Sequence, residues 1–236
     1  MTTDLAGTGY HHGHLGQILG RDLATDADWA AFADTWNRLL LDEYMADGGT
    51  YRYRRYAEFH CDSTGLRPMP HVPYSQSKDV NHLNGGIERW YQPFEPDAAG
   101  SPILAGLVRC AVSVLDAAAG PGSWRLRSFQ NRIYARSGAL GKPTPEGVHR
   151  DGVDYVVALL VDRVNVKGGD SSLYTPDRER LTTITLAQPG ELILNDDEAT
   201  RHGVRPLTPG PGQGESFRDV LIAMFTREGR FEESSC

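Results

Sequence analysis

Hydrophobic and polar residues follow two different periods along this chain. In the first half, apolar residues recur at helical spacing in segments 24–49 and 101–120. From residue 123 onward the pattern changes to short runs that alternate or are wholly apolar, which is typical of β-strands. Helices followed by many short strands predict an α+β fold, in which a β-sandwich or barrel is buttressed by helices.

The first helical segment should present one apolar face to the core. Asp26 or Asp28 could cap its start, and Gly48-Gly49 should close it. The residues at helical spacing are Trp29, Phe32, Trp36, Leu39 and Leu40. We expect this face to pack in the core rather than to bind a cofactor.

The strand predictions rest on alternating or wholly apolar segments separated by turn residues. They cover segments 50–61, 123–138, 154–161, 171–175, 181–186, 191–195 and 219–227. In the first of these, Arg52, Arg54 and Tyr56 share one face because side chains alternate along a strand. The pattern favours a half-exposed strand with solvated arginines, and an arginine that faces a substrate is the alternative.

Two segments lack a regular pattern. Residues 65–96 are rich in proline, polar and aromatic residues, and a loop this long in a compact domain is often a lid or a binding segment. Residues 1–20 are rich in glycine and histidine, with His11, His12 and His14 close together. We expect residues 1–20 to be a flexible arm rather than a metal site.

Composition limits the classes of function. The chain has 236 residues, a mass of 26.0 kDa and a formal net charge of −7. This length favours a single domain over residues 1–236. The acidic balance argues against nucleic acid as a partner, because phosphate binding requires a clustered basic surface. A small anionic molecule would have to be bound by local arginines.

Cysteine usage and hydropathy indicate the compartment. The three cysteines lie far apart and form no CxxC pair, which favours reduced thiols in a cytoplasm. No signal peptide pattern is present at the start, and no run of 18 apolar residues suggests a spanning helix. We therefore expect a cytoplasmic protein with no membrane partner, either a monomer or a homodimer.

Candidate metal ligands lie at the start of a predicted strand. In the segment EGVHRDGVDYVVALLV, residues 146–161, His149 and Asp151 are two positions apart and would point to the same side of an extended backbone. His202 is the one histidine after residue 149, and it follows the apolar run ELILN. Two histidines and one carboxylate form the facial triad of non-haem Fe(II) oxygenases. Such a triad leaves three coordination positions open for a chelating cosubstrate and O2.

The usual cosubstrate of such a site is 2-oxoglutarate, whose far carboxylate requires a fixed cation. Arg218 opens the last predicted strand, and a guanidinium group pairs with a carboxylate through two parallel hydrogen bonds. Tyr134, on the strand before the triad, could add a hydroxyl group to the same carboxylate.

On these residues the chain resembles the bacterial Fe(II)/2-oxoglutarate dioxygenase family that includes L-isoleucine 4-hydroxylase. The similar segments are PEGVHRDGVDYVVALLVDRVNVKGG, LILNDDEATRHGVRPL, FRDVLIAMF, YRYRRYAEF and NGGIERWYQPF, within residues 50–227. The resemblance implies a double-stranded β-helix, with His149, Asp151 and His202 as iron ligands and Arg218 as the 2-oxoglutarate anchor. It also implies Fe(II), 2-oxoglutarate and O2 as the reaction requirements, with ascorbate as reductant in vitro. Known members of the family hydroxylate small free amino acids.

An amino acid substrate needs a cation for its carboxylate and an acceptor for its ammonium group. Arg89, Arg136, Arg150 and an arginine of the YRYRR strand, residues 51–55, are candidates for the first role, and Asp154 is the candidate for the second. Asp196 or Asp197 would accept the second ring N–H of His202, because ligating histidines usually donate that proton.

Other outcomes stay open at the sequence level. The same iron site could perform desaturation or ring closure on an amino-acid-derived or carrier-bound substrate. A non-redox cupin-type metalloenzyme and a regulatory module without turnover are further alternatives. Halogenation is disfavoured, because halogenating relatives lack the carboxylate ligand that Asp151 supplies here.

Overall fold

The structure of the protein is a computed structural model that describes residues 2–78, 83 and 85–229. Cys236, and the part of the predicted binding segment that covers residues 79–82 and 84, lie outside the described residues.

The regular elements are short helices, one long helix and thirteen strands within the described residues. The helices are α1 Thr2–Thr8, α2 Leu15–Leu19, α3 Ala27–Asp34, a 3-10 turn at Thr35–Arg38, α4 Pro96–Ala99 and α5 Pro102–Ala119. The strands are β1 Tyr10–His14, β2 Leu40–Leu41, β3 Arg52–Asp62, β4 Gly65–Pro68, β5 Trp124–Tyr134, β6 Tyr155–Val164, β7 Val166–Lys167, β8 Ser171–Tyr174, β9 Arg180–Ile184, β10 Glu191–Asp196, β11 Arg201–Val204, β12 Thr208–Pro209 and β13 Phe217–Arg227.

The strands form one large antiparallel sheet and two small ones. The large sheet has the order β1-β10-β6-β13-β5-β3-β2, and β4 pairs with β3. A second sheet has the order β11-β8-β9, and β12 pairs with β7. The last strand, β13, therefore lies between β5 and β6 in the middle of the large sheet. This arrangement confirms the α+β prediction.

One face of the large sheet packs against the helices. The longest helix, α5, begins at Ser101, whose Oγ accepts a hydrogen bond from the Ile103 N–H group at 3.2 Å. Its apolar side chains share a core with strand residues whose side chains are fully buried, including Leu126, Leu159 and Phe225. Burial of this face supplies the main hydrophobic stabilisation of the fold.

Helix α5 also bears on the expectation that no segment could span a membrane. With α4 it forms one stretch, Pro96–Ala119, that is long and apolar enough to span a membrane by length and composition alone. Most of this stretch is buried inside the protein, as the core packing of α5 requires.

The other face of the large sheet is covered by the β11-β8-β9 sheet and by loops. Leu173 on β8 packs with Ile193 and Val220 of the large sheet, and all three side chains are buried. Between the two sheets lies the cavity described below.

Three local predictions were wrong. The expected flexible arm instead folds as α1, β1 and α2, and β1 pairs with β10 at the edge of the large sheet. The first predicted helix begins as expected, because the Asp26 carboxylate accepts the Asp28 and Trp29 N–H groups. It ends near Arg38 rather than at Gly48, and Leu40 is exposed in a short strand instead of packing in the core.

Candidate metal centre

A cavity of about 150 Å³ lies between the large sheet and the β11-β8-β9 sheet. Its wall is formed by alternate residues of β3, β5, β6, β10 and β13, together with β8, β11 and the loop before β6. The segment predicted to bind a ligand contributes Tyr74, Gln76 and Arg89 to this wall. The cavity therefore draws on distant parts of the sequence, which only the sheet pairing brings together.

The three predicted metal ligands meet at this cavity. One ligand atom each of His149, Asp151 and His202 lies within 4.8 Å of the others. Asp151 Oδ1 is 3.7 Å from His149 Nε2, and Asp151 Oδ2 is 3.5 Å from His202 Nε2. Two imidazole nitrogens and a carboxylate on one side of a cavity can hold a divalent transition metal ion.

Backbone pairing brings the two histidines together. The His149 N–H group donates to the His202 carbonyl oxygen at 2.9 Å, and the His202 N–H group donates back at 2.8 Å. This isolated antiparallel bridge places the two rings with their centroids 4.4 Å apart. It explains how residues more than fifty positions apart can share one metal.

Asp197 fixes the backbone that follows the His-x-Asp sequence. Its buried carboxylate accepts the N–H groups of Asp151, Gly152 and Val153 at 3.0, 2.8 and 3.1 Å. Gly152 has a positive φ of 75°, a conformation that glycine adopts without steric cost. The tight turn after Asp151 is therefore held by a charged acceptor, and this holds the Asp151 carboxylate in place.

The ring nitrogens that face away from the triad are held differently in the two histidines. His149 Nδ1 lies 3.0 Å from the Gly147 carbonyl oxygen, and donation to this oxygen leaves Nε2 free to bind a metal. His202 Nδ1 is buried and has no hydrogen-bond partner among the described residues. The expectation that Asp196 or Asp197 accepts a proton from His202 is therefore not met, because Asp197 binds backbone N–H groups instead.

The triad is electrostatically coupled. Burial tends to raise the pKa of Asp151, but the two histidines hold that pKa below its usual value. Burial tends to lower the pKa of His149, whereas the Asp151 and Glu146 carboxylates together raise it to about 9. Burial and the positive charge of His149 lower the pKa of His202. A metal ion bound by the triad would replace this positive charge beside Asp151, and His149 would release its proton, because a ligating imidazole is neutral.

Arg218 also lines the cavity. Its side chain is buried, and it makes no hydrogen bond or ion pair within the described part of the chain. Burial, together with the nearby Arg163, lowers the pKa of Arg218 to about 10. A buried guanidinium group without an acceptor is costly, so this position suits the binding of an anion from the cavity.

Among the other predicted contacts, Arg89 and two arginines of the YRYRR strand, Arg52 and Arg54, reach the cavity. Arg89 lines it and is buried. Tyr134 points away from Arg218 and packs edge-on against Tyr53 and Phe217. Tyr134 is therefore not positioned to assist Arg218.

The remaining three candidates also lie outside the cavity. Arg136 is exposed and stacks on the Tyr134 ring. Arg150 lies beside the Asp197 carboxylate at 3.7 Å. The Asp154 carboxylate accepts the Arg227 N–H group at 2.7 Å, and it faces a separate surface hollow. These three side chains do not form a substrate site in this structure.

Two charged residues of the cavity wall depart from the favoured sequence predictions. Arg54 is buried at the cavity, which agrees with the alternative of an arginine that faces a substrate and not with the favoured solvated arginine. Glu146 lies with Oε1 3.3 Å from His149 Nε2, and its other oxygen is buried without a partner among the described residues. The alternation along β3 indicated the shared face of Arg52 and Arg54, but it could not indicate that another sheet covers this face.

The chain matches known proteins over most of its length. Residues 33–224 match the family model described as 2OG-Fe dioxygenase. The L-isoleucine-4-hydroxylase of Bacillus thuringiensis is 25% identical over 198 residues, which is 79% of this chain and 80% of that protein. The bifunctional enzyme flvA of Aspergillus flavus is 27% identical over 109 residues, which is 40% of this chain and 13% of flvA.

A solved structure shares the fold. The bsmA homolog Mpe_A2762 of Methylobium petroleophilum superposes with a TM-score of 0.86 and 29% sequence identity, over 95% of this chain and 91% of that chain. Structures of this family have a double-stranded β-helix core, which the two facing sheets form here.

Proposed function

Because the chain belongs to the 2OG-Fe dioxygenase family, we propose that it hydroxylates an unactivated C–H bond of a small free amino acid. The family implies Fe(II), 2-oxoglutarate and O2 as the reaction requirements, with succinate and CO2 as coproducts. The observation that carries the proposal is the meeting of His149, Asp151 and His202 at one wall of the cavity between the two sheets. We take residues 1–236 to act as one dioxygenase domain, located in the cytoplasm.

The residues at the cavity fit the iron that the family implies. Two histidines and one aspartate match the donor set of non-haem Fe(II), and their ligand atoms lie within 4.8 Å of one another. His149, Asp151 and His202 would hold the metal ion. When bound, Fe(II) with 2-oxoglutarate and O2 would supply the oxidant that converts the C–H group into C–OH.

The residues of the chain would supply binding, orientation and exclusion of water. Arg218 would bind the far carboxylate of 2-oxoglutarate, since its guanidinium group lacks an acceptor among the described residues. Asp197 would keep the Asp151 carboxylate in position through the turn it caps. The surrounding sheets leave the triad only partly exposed at the cavity, which would limit the access of solvent to a reactive oxidant.

The amino acid class is supported by the relative and by the charges on the wall. The relative from Bacillus thuringiensis is named as an L-isoleucine hydroxylase. The cavity offers buried arginines for a carboxylate, and it offers the unpartnered oxygen of Glu146 for an ammonium group. Its volume of about 150 Å³ suits a small molecule rather than a polymer. Desaturation or ring closure at the same site is the second candidate outcome.

The test is a product assay. The purified protein is incubated with Fe(II), 2-oxoglutarate, ascorbate and air, together with a pool of free amino acids, and the mixture is analysed by mass spectrometry. We expect succinate formation that depends on one amino acid, and a product of that amino acid heavier by one oxygen atom. A product lighter by two hydrogen atoms would indicate desaturation or ring closure. If no amino acid stimulates succinate formation by the iron-loaded protein, the proposed substrate class is wrong.

A further inference from the structure

Two arginines of the cavity wall, other than Arg218, carry unused hydrogen-bonding capacity. The side chains of Arg54 and Arg89 are 9% and 2% exposed, and both line the cavity. The Nε atom of each is buried and makes no hydrogen bond within residues 2–78, 83 and 85–229. Since a buried donor without a partner costs free energy, Arg89 Nε needs an acceptor that the described chain does not provide, whereas Arg54 Nε has only the ion-pair contact with Asp42 described below.

Arg54 belongs to a cluster in which two arginines share the Asp42 carboxylate. Asp42 is fully buried, and its Oδ2 atom lies 2.7 Å from Arg52 Nε and 3.3 Å from Arg54 Nε. The Arg54 guanidinium carbon lies 5.1 and 4.7 Å from the ring centres of Tyr91 and Phe129, which fixes the group on an aromatic surface. Arg54 has the longer contact with Asp42, which leaves it able to bind an anion from the cavity.

Arg89 is held at a fixed position relative to the triad. Its guanidinium group lies 4.8 Å from the Tyr74 ring centre, and Arg89 Nη2 donates to Gln76 Oε1 at 3.2 Å. Gln76 Nε2 in turn donates to the Asp151 carbonyl oxygen at 3.3 Å. A single amide therefore connects Arg89 to the backbone of a metal ligand. An anion bound by Arg89 would lie close to the iron site in a defined orientation.

These arginines are separate from Arg218. Arg218 pairs with Ile133 on β5, and Ile133 pairs with Arg52 on β3. The backbones of β13 and β3 are therefore about 10 Å apart at this level, since neighbouring strands are roughly 4.8 Å apart. Arg54 is a further two residues along β3, which makes its separation from Arg218 slightly larger. One small dicarboxylate bound to iron and to Arg218 would leave Arg54 and Arg89 free.

We propose that Arg54 and Arg89 form a second carboxylate-binding subsite that holds the substrate by its carboxylate group. The inference rests on the proposed function and deepens it, because it requires the substrate to carry a free carboxylate. Two guanidinium groups fixed on aromatic rings bind a planar carboxylate with directional, charge-assisted hydrogen bonds. A substrate whose carboxylate is joined to a carrier or amidated would lose these bonds. The subsite therefore selects free acids over carrier-bound or peptidyl compounds.

The test compares substrate and cosubstrate affinities in variants of the full chain. Wild type, Arg54→Gln and Arg89→Gln are loaded with Fe(II) and 2-oxoglutarate without oxygen. They are titrated with the proteinogenic L-amino acids, the amide of each amino acid that binds, and 3-methylpentanoate. Arg89→Lys keeps the positive charge and removes the planar guanidinium group with its parallel N–H donors. Arg136→Gln is the matched control, since Arg136 is exposed outside the cavity.

We expect both Gln variants to bind the amino acid about 10- to 100-fold more weakly, which is the cost of lost hydrogen bonds to a charged group. Their affinity for 2-oxoglutarate should stay within about twofold of wild type. Wild type should bind the amide as weakly as the Gln variants bind the acid. The affinity of Arg89→Lys for the amino acid should lie between those of wild type and Arg89→Gln. Correct folding of each variant is checked by its unchanged 2-oxoglutarate binding.

Three results would overturn the subsite. The first is weaker 2-oxoglutarate binding in the Gln variants with unchanged amino acid binding, and the second is equal binding of acid and amide by wild type. The third is a loss of amino acid affinity in Arg136→Gln as large as that in the two cavity variants. Failure of the proposed function would look different. If 3-methylpentanoate binds in a manner that depends on Arg54 and Arg89 while no amino acid does, the subsite stands and the amino acid class is wrong. If no carboxylate other than 2-oxoglutarate binds to wild type, the subsite is wrong.

Discussion

The two faces of the large sheet use the same strands in opposite ways. On the helix side, Arg132 of β5 forms two hydrogen bonds with the Asp219 carboxylate of β13, at 2.8 and 2.7 Å. One residue earlier on β13, Arg218 points into the cavity and has no acceptor in the described chain. The charged side chain on the helix side is therefore paired and stabilises the fold, whereas the one on the cavity side is left without a partner and is available to a ligand.

Buried polar atoms without a hydrogen-bond partner in the described chain occur both at the cavity and outside it. Six of the eleven belong to cavity residues: Arg54, Arg89, Asn131, Glu146, His202 and Arg218. Such atoms are costly in a folded protein and call for an explanation. Binding of 2-oxoglutarate and a charged substrate would give partners to the cavity arginines and to Glu146.

The largest expected effect comes from removing a ligand on the cavity side. Asp151→Ala should lower iron affinity and turnover by more than about 100-fold, because changes to residues that merely support ligands already cost 10- to 100-fold. Iron content and succinate formation measure the loss. Asp177→Ala, which removes an exposed carboxylate, is the control and should behave as wild type. Iron binding at wild-type strength in Asp151→Ala would exclude this carboxylate as a ligand.

A substitution on the helix side of the large sheet should lower the stability of the protein without changing its iron binding. Phe225 is fully buried against the core, so Phe225→Ala should lower the free energy of unfolding by about 3–5 kcal/mol. Denaturant titration measures the effect. The fraction that stays folded should bind iron with wild-type stoichiometry, because Phe225 contacts the helix side of the sheet. A loss of iron binding without a loss of stability would contradict the division between the faces.

Arg218, which has no partner in the described chain, and Arg132, which is paired with Asp219, should respond in opposite ways to substitution by leucine. Arg218→Leu should weaken 2-oxoglutarate binding by about 10- to 100-fold, through the loss of charge-assisted hydrogen bonds. It should leave the free energy of unfolding unchanged or higher, since a buried unpaired charge is removed. Both quantities are measured, by anaerobic titration and by denaturant unfolding.

Arg132→Leu is the matched control on the helix side. It should destabilise the protein by about 3–5 kcal/mol, because it leaves Asp219 buried without its partner, and folded protein should retain its affinity for 2-oxoglutarate. Equal destabilisation by both variants would mean that Arg218 has a structural partner.

The smallest expected effect on iron affinity comes from Asp197, which supports the backbone of residues 151–153. Asp197→Asn removes the charge from the acceptor of the Asp151, Gly152 and Val153 N–H groups. We expect about a tenfold loss of iron affinity, in the range for residues that orient a ligand. Glu198→Gln, at an exposed neighbouring position, is the control for iron titrations. Unchanged iron affinity in Asp197→Asn would mean that the loop keeps its geometry without this charge.

The three residues of the candidate metal site could be found in the sequence because their signal is local or chemical. His149 and Asp151 stand two residues apart before an apolar strand, and His202 is the one later histidine. The burial of Arg54 was not predictable, because alternation indicates a shared face and says nothing about what covers it.

The failed predictions have different physical causes. Tyr134 was assigned to the cavity from its strand alone, but it lies on the opposite side from Ile133, which lines the cavity. Residues 1–20 looked like a flexible arm, since the pairing of β1 with β10 depends on a strand far along the chain. In that segment, long-range pairing overrode local composition.

Visible absorption of the protein with Fe(II) and 2-oxoglutarate, in the absence of oxygen, shows whether the triad holds an iron ion that binds 2-oxoglutarate. Chelation of 2-oxoglutarate to iron at the triad should give a weak charge-transfer band. Succinate, which lacks the keto group, should give no band. The band should vanish in Asp151→Ala. Iron binding without such a band, or an undiminished band in Asp151→Ala, would contradict the account of the cavity as a 2-oxoglutarate-dependent iron site.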